Sequence, residues 1–145
     1  MSLSRKGIMV AGIVVIGAAT IGYLRLHASE PKDTAGDHAE APLVNVAAPE
    51  LSGAAAEGKA LFDANCAACH GQNAAGKDGF GPPLVHKIYE PGHHADIAFQ
   101  LAVSNGVRAH HWSFGNMPAV EGVTQSDVEK IVAYVRALQR ENGIF

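Results

Sequence analysis

The sequence predicts a small all-α fold, and three observations support this prediction. Helix-forming residues, or apolar residues at helical spacing, occupy 54–65, 93–105 and the stretch from Thr124 onwards. Glycine and proline are frequent in the segments between these stretches, which favours loops there. A chain of 145 residues is long enough for one modest domain with appendages.

The first predicted helix, Ala54–Asn65, is rich in Ala, Glu, Lys and Leu. Gly58 and Phe62 are four residues apart, so they share one face of this helix. A glycine on a helix face permits the close approach of another helix, and Phe62 supplies apolar area beside it. We therefore expect this face to pack against a second helix.

The second predicted helix, His93–Asn105, ends at the Asn-Gly pair that is typical of a helix C-terminus. One side of this helix carries Ile97, Leu101 and Ser104. The adjacent histidines at its start, His93 and His94, are expected to be solvated. The last predicted helix has a cap at Thr124 or Ser126. Its buried stripe is predicted to be Val128, Ile131, Val132, Val135 and Leu138, with Tyr134 beside it.

The chain has two cysteines, and both belong to the sequence Cys-Ala-Ala-Cys-His at residues 66–70. This spacing is the pattern that attaches a c-type haem. Cys66 and Cys69 lie about one turn apart, so each thiol can reach one vinyl group of the same porphyrin. His70 follows directly and can bind the iron. The sequence therefore predicts one haem c, bonded through both cysteines and ligated by His70.

Two weaker interpretations of the cysteine pair remain. A zinc site needs four ligands, and the chain has no second Cys-x-x-Cys to complete one. A redox dithiol of the thioredoxin type would follow a strand, and no strand pattern precedes Cys66.

A Gly-x-x-x-Phe helix that runs into Cys-x-x-Cys-His resembles the start of a class I cytochrome c. The resemblance covers about residues 54–142. It implies a fold of three to five helices around one covalent haem, in which the first helix crosses the last through Gly58, Phe62 and Tyr134.

The resemblance also assigns roles to Gly-Pro-Pro-Leu at residues 81–84. In the family, a proline carbonyl accepts a hydrogen bond from the proximal imidazole and a leucine packs on the haem. These roles fall to Pro82 and Leu84, although a shift of one residue would give the carbonyl role to Pro83. A hydrogen bond of this kind is expected on general grounds, because a histidine that ligates a metal usually donates its second N–H to an acceptor that fixes the orientation of the ring.

Met117 is the candidate for the second axial ligand. The other two methionines, Met1 and Met9, lie at the amino end, and Met117 sits in a polar loop bounded by Gly115 and Pro118. The Met-Pro pair resembles the distal ligand loop of class I cytochromes c. The rival interpretations are an open distal site or a second histidine, with His86, His110 and His111 as candidates. In such folds aromatic N–H groups and arginines often neutralise the haem propionates, which implies that role for Trp112 and Arg108.

Residues 7–24 carry no charge and would span roughly 27 Å as a helix, about the thickness of a hydrocarbon core. Arg5 and Lys6 precede this run, so the positive-inside tendency predicts that the remainder is exported. We interpret residues 1–27 as an uncleaved anchor in a bacterial inner membrane, with the haem domain in the periplasm. The alternative is a secretory signal cleaved at the small residues Gly17-Ala18-Ala19.

Residues 28–52 are rich in Ala, Pro and acidic residues and lack apolar periodicity, so we interpret them as a flexible linker. The predicted haem domain is then 53–145. The formal net charge is −3 and no basic stripe is present, which argues against nucleic acid as a partner.

The resemblance implies a one-electron carrier and not an enzyme. The expected redox partners are a quinol-oxidising cytochrome complex and a terminal oxidase or reaction centre. One alternative is a haem subunit of a larger dehydrogenase or oxidase. Another is a small-ligand sensor or peroxidase, if Met117 is a labile ligand.

Overall fold

Helices and loops make up the part of the chain that the computed structural model describes, residues 41–145. The α-helices are α1 (Gly53–Asn65), α2 (Ala67–His70), α3 (Asp96–Asn105) and α4 (Gln125–Glu141), and the 3₁₀ turns are Gln72–Ala74 and Lys87–Tyr89. Within these residues no strand forms, and extended pairing is limited to two isolated bridges. The predicted all-α class is thus confirmed.

The predicted anchor, residues 1–27, lies outside the described residues. Among residues 41–145, no helix has the length and apolar character that a membrane crossing requires.

The first and last helices cross, as predicted, through a glycine and two aromatic rings. Phe62 and Tyr134 are fully buried, and their rings meet edge to face with centroids 5.5 Å apart. A Cβ atom placed on Gly58 would lie 1.9 Å from the carbonyl oxygen of Lys130. The two backbones therefore touch at Gly58, and no side chain fits between them.

Helix α4 supplies half of the buried hydrophobic side chains of the described residues. All five residues of its predicted apolar stripe are buried, which confirms that prediction. Of the two predicted caps, Thr124 is the one used. Its hydroxyl accepts from the backbone N–H of Asp127 at 3.2 Å, and its own N–H donates to the Asp127 carboxylate at 3.0 Å. This reciprocal pair satisfies two N–H groups that the helix itself cannot pair.

Helix α3 starts three residues later than the sequence predicts. It begins at Asp96, because the preceding residues form a turn. Ile97 and Leu101 are 63% and 54% exposed, whereas Phe99 and Val103 pack on the core. Helical spacing alone could not identify the packed side, since apolar residues occur on both.

Residues 41–52, assigned to the flexible linker from their composition, lie against the domain instead. The N–H groups of Leu43 and Val44 both donate to the carbonyl of Ala75 at 3.1 Å. The amide of Asn142 pairs with both backbone groups of Ala47, at 3.0 and 2.8 Å. These bonds join residues far apart in sequence, which composition cannot reveal. The folded domain therefore extends at least from Ala41, and residues 28–40 of the predicted linker lie outside the described residues.

Candidate haem-binding site

A cavity of about 540 Å³ lies between α1, α3, α4 and the loops that connect them. Cys66, Cys69, His70 and Met117 all line it. The structure therefore brings both thiols and both proposed axial ligands to one space, although Met117 lies 47 positions after His70.

The proximal wall is built by the single turn of α2. The N–H groups of Cys69 and His70 both donate to the carbonyl of Cys66, at 3.1 and 2.9 Å. This turn follows α1 directly, since the N–H of Cys66 bonds to the carbonyl of Phe62 at 2.8 Å. The two sulfurs and the imidazole are therefore held on the same wall by local helical hydrogen bonds.

The imidazole of His70 is oriented by the Pro82 carbonyl. Nδ1 of His70 lies 2.9 Å from that oxygen, so the Nδ1–H donates and Nε2 keeps its lone pair. Pro82, and not Pro83, thus occupies the position that the family resemblance implies. Burial lowers the pKa of His70, opposed in part by this hydrogen bond. Its imidazole is therefore held neutral, the form that binds iron.

The two thiols differ in their surroundings. Cys66 is half-buried, whereas Cys69 is exposed. Burial, with a smaller contribution from Cys69, raises the pKa of Cys66 to about 11. Before attachment, Cys66 is thus a thiol and not a thiolate at neutral pH. This argues against Cys66 as the activated thiolate typical of redox dithiols, which has a lowered pKa.

The distal loop is fixed by a short ladder around Met117. Its N–H and carbonyl pair with the carbonyl and N–H of Val107, at 3.0 and 2.9 Å. The Asn116 side chain accepts from the N–H of Ala109 at 2.9 Å. Gly106 has φ +73°, and a Cβ there would lie 2.6 Å from the Met117 carbonyl oxygen. Glycine is required at this position both by the left-handed backbone and by the close approach.

Trp112 lines the cavity as a half-buried side chain, but its indole Nε1–H is itself buried. No acceptor among residues 41–145 lies within hydrogen-bond distance of this N–H, although the indole is near enough to the Tyr89 hydroxyl to oppose in part the rise that burial causes in the pKa of Tyr89. A buried donor without a full hydrogen bond is costly, which favours an acceptor supplied by a ligand. A propionate carboxylate of haem would supply that acceptor.

Of the remaining predicted site residues, Leu84 lines the cavity and Arg108 does not. Leu84 is buried on the cavity wall, where its carbonyl accepts from Nε2 of Gln139 at 2.8 Å. Arg108 is exposed and does not line the cavity, and its contribution is a carbonyl that accepts from Nδ1 of His110 at 2.8 Å. The propionate role suggested for the Arg108 side chain stays a prediction.

The structure also shows where the three histidines lie that were alternatives to Met117 as the second iron ligand. His110 and His111 are exposed and line the cavity. His86 does not line it, and its Nδ1 accepts from the N–H of Ile88 at 3.2 Å. Among the candidates for a second ligand, Met117 is half-buried in the lining, and its backbone N–H and carbonyl are both hydrogen-bonded to Val107.

Sequence reasoning missed several apolar residues of the cavity. Val107, Phe114 and Val120 line it and flank the distal loop. A signal was present, since these residues are isolated apolar positions in an otherwise polar stretch. Together with the two thiols, the neutral imidazole and the unpaired indole N–H, this apolar lining fits a covalently attached haem.

Comparisons with known proteins agree with this geometry. The family model for cytochrome c matches residues 55–139. The chain is 33% identical over 106 residues to the cytochrome c subunit of the cytochrome bc1 complex of Mycobacterium leprae, covering 66% of this chain and 31% of that subunit. It is 31% identical over 93 residues to cytochrome c-554(547) of Halothiobacillus neapolitanus, covering 61% of this chain and all of that protein.

No solved structure gives a significant match. The chain spans about a third of the length of the bc1 subunit. The family match covers more than half of the chain and includes both cysteines, His70 and Met117. On these grounds the chain belongs to the cytochrome c family.

Proposed function

We propose that this chain is a one-electron carrier whose haem iron is ligated by His70 and Met117. The observation that carries the proposal is the shared cavity, which both side chains line together with Cys66 and Cys69. Proteins of the cytochrome c family carry electrons and are not enzymes, and this chain binds haem c covalently through its cysteine pair.

The chain's own residues orient and enclose the cofactor. Pro82 holds the His70 ring by its carbonyl, the ladder to Val107 holds Met117, and the indole N–H of Trp112 is available to a propionate. Haem c supplies an iron that changes its oxidation state by one electron. If His70 and Met117 both bound the iron, no coordination site would be left for a substrate, which would favour electron transfer over catalysis.

Met117 also bears on the reduction potential. A thioether is a soft, neutral ligand, and His/Met ligation raises the potential relative to ligation by two histidines. We therefore propose a potential in the range of carriers that accept electrons from a quinol-oxidising complex and deliver them to a terminal oxidase or reaction centre.

The cellular setting is part of the proposal. The uncharged run at residues 7–24 and the basic residues before it support an anchor in a bacterial inner membrane, with the haem domain in the periplasm. A tethered carrier meets its partners at a raised local concentration, so the encounter interface can be small and weak.

A second candidate function is favoured by one comparison. The relatives named as cytochrome c subunits of a bc1 complex suggest that this chain could be a fixed haem subunit of a larger complex. The match to the whole length of cytochrome c-554(547) favours a separate carrier instead. Gentle solubilisation followed by native electrophoresis decides between them, because a separate carrier migrates alone and a subunit migrates with its complex.

Substitution of Met117 tests the proposed ligation. The ferric wild-type protein should show the weak sulfur-to-iron band near the red end of the spectrum, and Met117→Ala should lose it. Met117→His should also lose the band but stay six-coordinate, with a lowered reduction potential. Met9→Ala changes a methionine of the predicted anchor and should leave the spectrum unchanged.

Two results would contradict this assignment. The first is a Met117→Ala protein that keeps the band, which would place the ligand elsewhere. The second is rapid carbon monoxide binding by the ferrous wild-type protein, which would favour a sensor or peroxidase. A native mass measurement checks the remaining parts, since it shows whether haem is bonded and whether residues 1–19 are retained.

A further inference from the structure

Four imidazole rings gather at one side of the cavity, and three of them, His94, His110 and His111, line it. They come from two segments of the chain, His93 and His94 before α3, and His110 and His111 in the distal loop. The centroids of His93 and His111 lie 5.1 Å apart, those of His94 and His111 5.4 Å, and those of His110 and His111 4.3 Å. We call these four residues the histidine cluster.

We propose that the histidine cluster binds a divalent transition-metal ion of the zinc and copper class, with His93, His94 and His111 as the ligands. One ring nitrogen from each of these three residues lies within 4.8 Å of the other two. Tetrahedral zinc, with bonds of about 2.0–2.1 Å to nitrogen, sets its ligands roughly 3.3 Å apart. His93 and His111 are exposed, so small side-chain rotations bring the three nitrogens to that separation.

The backbone positions the two segments independently of any metal. The N–H groups of His93 and His94 both donate to the carbonyl of Glu90, at 3.0 and 2.8 Å. The carbonyl of His94 in turn accepts from Nη2 of Arg136 at 2.5 Å. On the other side, the ladder between Val107 and Met117 fixes the loop that carries His110 and His111.

Hydrogen bonds also select the ring nitrogen that is free to coordinate. Nδ1 of His94 lies 2.7 Å from the carbonyl of Ile88, and Nδ1 of His110 lies 2.8 Å from the carbonyl of Arg108. Each Nδ1–H donates to its carbonyl, which leaves Nε2 with its lone pair. A histidine that binds a metal almost always donates its other N–H in this way, since the bond fixes the ring and raises its basicity. The ring of His110 lies beside that of His111 but does not belong to the group of three nitrogens within 4.8 Å of one another.

The chemistry of the cluster selects the class of metal. Imidazole nitrogen suits zinc, copper and nickel, whereas calcium and magnesium require oxygen ligands. No aspartate or glutamate among the described residues completes the three-histidine group. Neutral imidazole is the form that coordinates.

The test measures zinc binding to the haem-loaded protein by equilibrium dialysis, and copper coordination by electron paramagnetic resonance. We expect one zinc ion per chain and a copper(II) spectrum with hyperfine splitting from imidazole nitrogens. His93→Asn and His111→Asn change exposed side chains and should each weaken zinc binding by about tenfold or more. The haem absorption spectrum of each variant verifies that the fold is intact.

His86→Asn is the matched control. His86 lies outside the cluster and its ring accepts a hydrogen bond from the N–H of Ile88, a capping role that asparagine can also fill. This variant should bind zinc like the wild type. Zinc that fails to bind the haem-loaded protein, as expected if the imidazoles instead contact the carboxylates of the cofactor, would overturn the proposal. Affinity that is unchanged in both cluster variants would overturn it as well. Neither measurement depends on the identity of the distal ligand, so this proposal and the electron-transfer proposal can fail separately.

Discussion

At the scale of single residues, the environment of each titratable group sets the form in which it exists. Tyr134 illustrates this at the crossing of α1 and α4, where its hydroxyl donates to Oδ1 of Asn73 at 3.1 Å. Burial, and secondarily the charge of Asp63, raises the pKa of Tyr134 to about 12. Asn73 itself has a left-handed backbone, with φ +52°, so this hydrogen bond supports an unfavourable conformation.

The raised pKa of Tyr134 predicts a loss of stability in alkali. The folded state holds the phenolic proton more tightly than the unfolded state, so this contribution is complete below about pH 10 and is lost as the pH rises towards 12. Tyr134→Phe should be less stable at neutral pH, by about 1 kcal/mol for the missing hydrogen bond. It should also lose less stability between pH 10 and 12. Urea denaturation followed by circular dichroism, repeated across this range, measures both effects. If the wild type and Tyr134→Phe lost the same stability between pH 10 and 12, the alkaline loss could not be assigned to Tyr134.

The residue scale also shows what a local motif can predict. Cys66, Cys69 and His70 lie on one turn of helix, so their spacing in sequence fixes their spacing in space. The carbonyl of Pro82 could be expected only through the family resemblance, since it bonds to His70 from twelve residues away. The exposed position of the Arg108 side chain could not be expected from sequence, because nothing local determines which way a loop residue faces.

At the scale of elements, the domain depends on the contact between α1 and α4. That contact is tightest at Gly58, where the backbones touch and the neighbouring rings of Phe62 and Tyr134 fill the space beside them. A glycine inside a helix is itself unfavourable by about 1 kcal/mol relative to alanine. We therefore expect the packing of α1 against α4 at Gly58 to stabilise the fold by more than this loss of helix propensity.

Gly58→Ala should destabilise the protein despite its better helix propensity. The added Cβ would lie 1.9 Å from a backbone oxygen that cannot rotate away, so the helices must separate. Overpacking of this kind typically costs about 1–3 kcal/mol, which exceeds the propensity gain of about 1 kcal/mol at its upper end. Thermal unfolding of the haem-loaded protein measures the difference.

Gly92→Ala is the control for this substitution, because its Cβ would meet nothing within 4 Å. Its stability should stay within about 0.5 kcal/mol of the wild type. A Gly58→Ala protein as stable as the Gly92→Ala protein would show that α1 and α4 do not pack as closely as described.

At the scale of the whole domain, Arg136 joins parts of the chain that are distant in sequence. Its guanidinium is buried and donates to the carbonyls of Tyr89 and His94, at 2.6 and 2.5 Å. It also donates to the carboxylate of Asp96 at 2.9 Å and to the side chain of Gln139 at 2.6 Å. One side chain of α4 thus holds the turn that carries His93 and His94 and the start of α3.

Substitutions at the two ends of the Arg136–Asp96 pair should have unequal effects. Arg136→Met removes the partner of several backbone and side-chain acceptors, which should cost about 2–4 kcal/mol. Asp96→Ala should cost less than about 1 kcal/mol, because the side chain of Asp96 is 69% exposed and an exposed ion pair contributes little. Chemical denaturation of both variants measures the contrast. If both variants lost the same free energy of unfolding, the ion pair with Asp96, and not the hydrogen bonds to the carbonyls, would account for the stabilisation by Arg136.

The sequence by itself determined the features that depend on neighbours along the chain. These are the haem attachment motif, the helical class, and the cap and buried stripe of α4, since each follows from a repeat or spacing within one or two helical turns. Tertiary structure alone decided the order of residues 41–52, the packed side of α3 and the meeting of the four histidines. The reason is that those features depend on contacts between segments that are distant in sequence, such as Asn142 with Ala47. Local sequence periodicity does not predict such contacts.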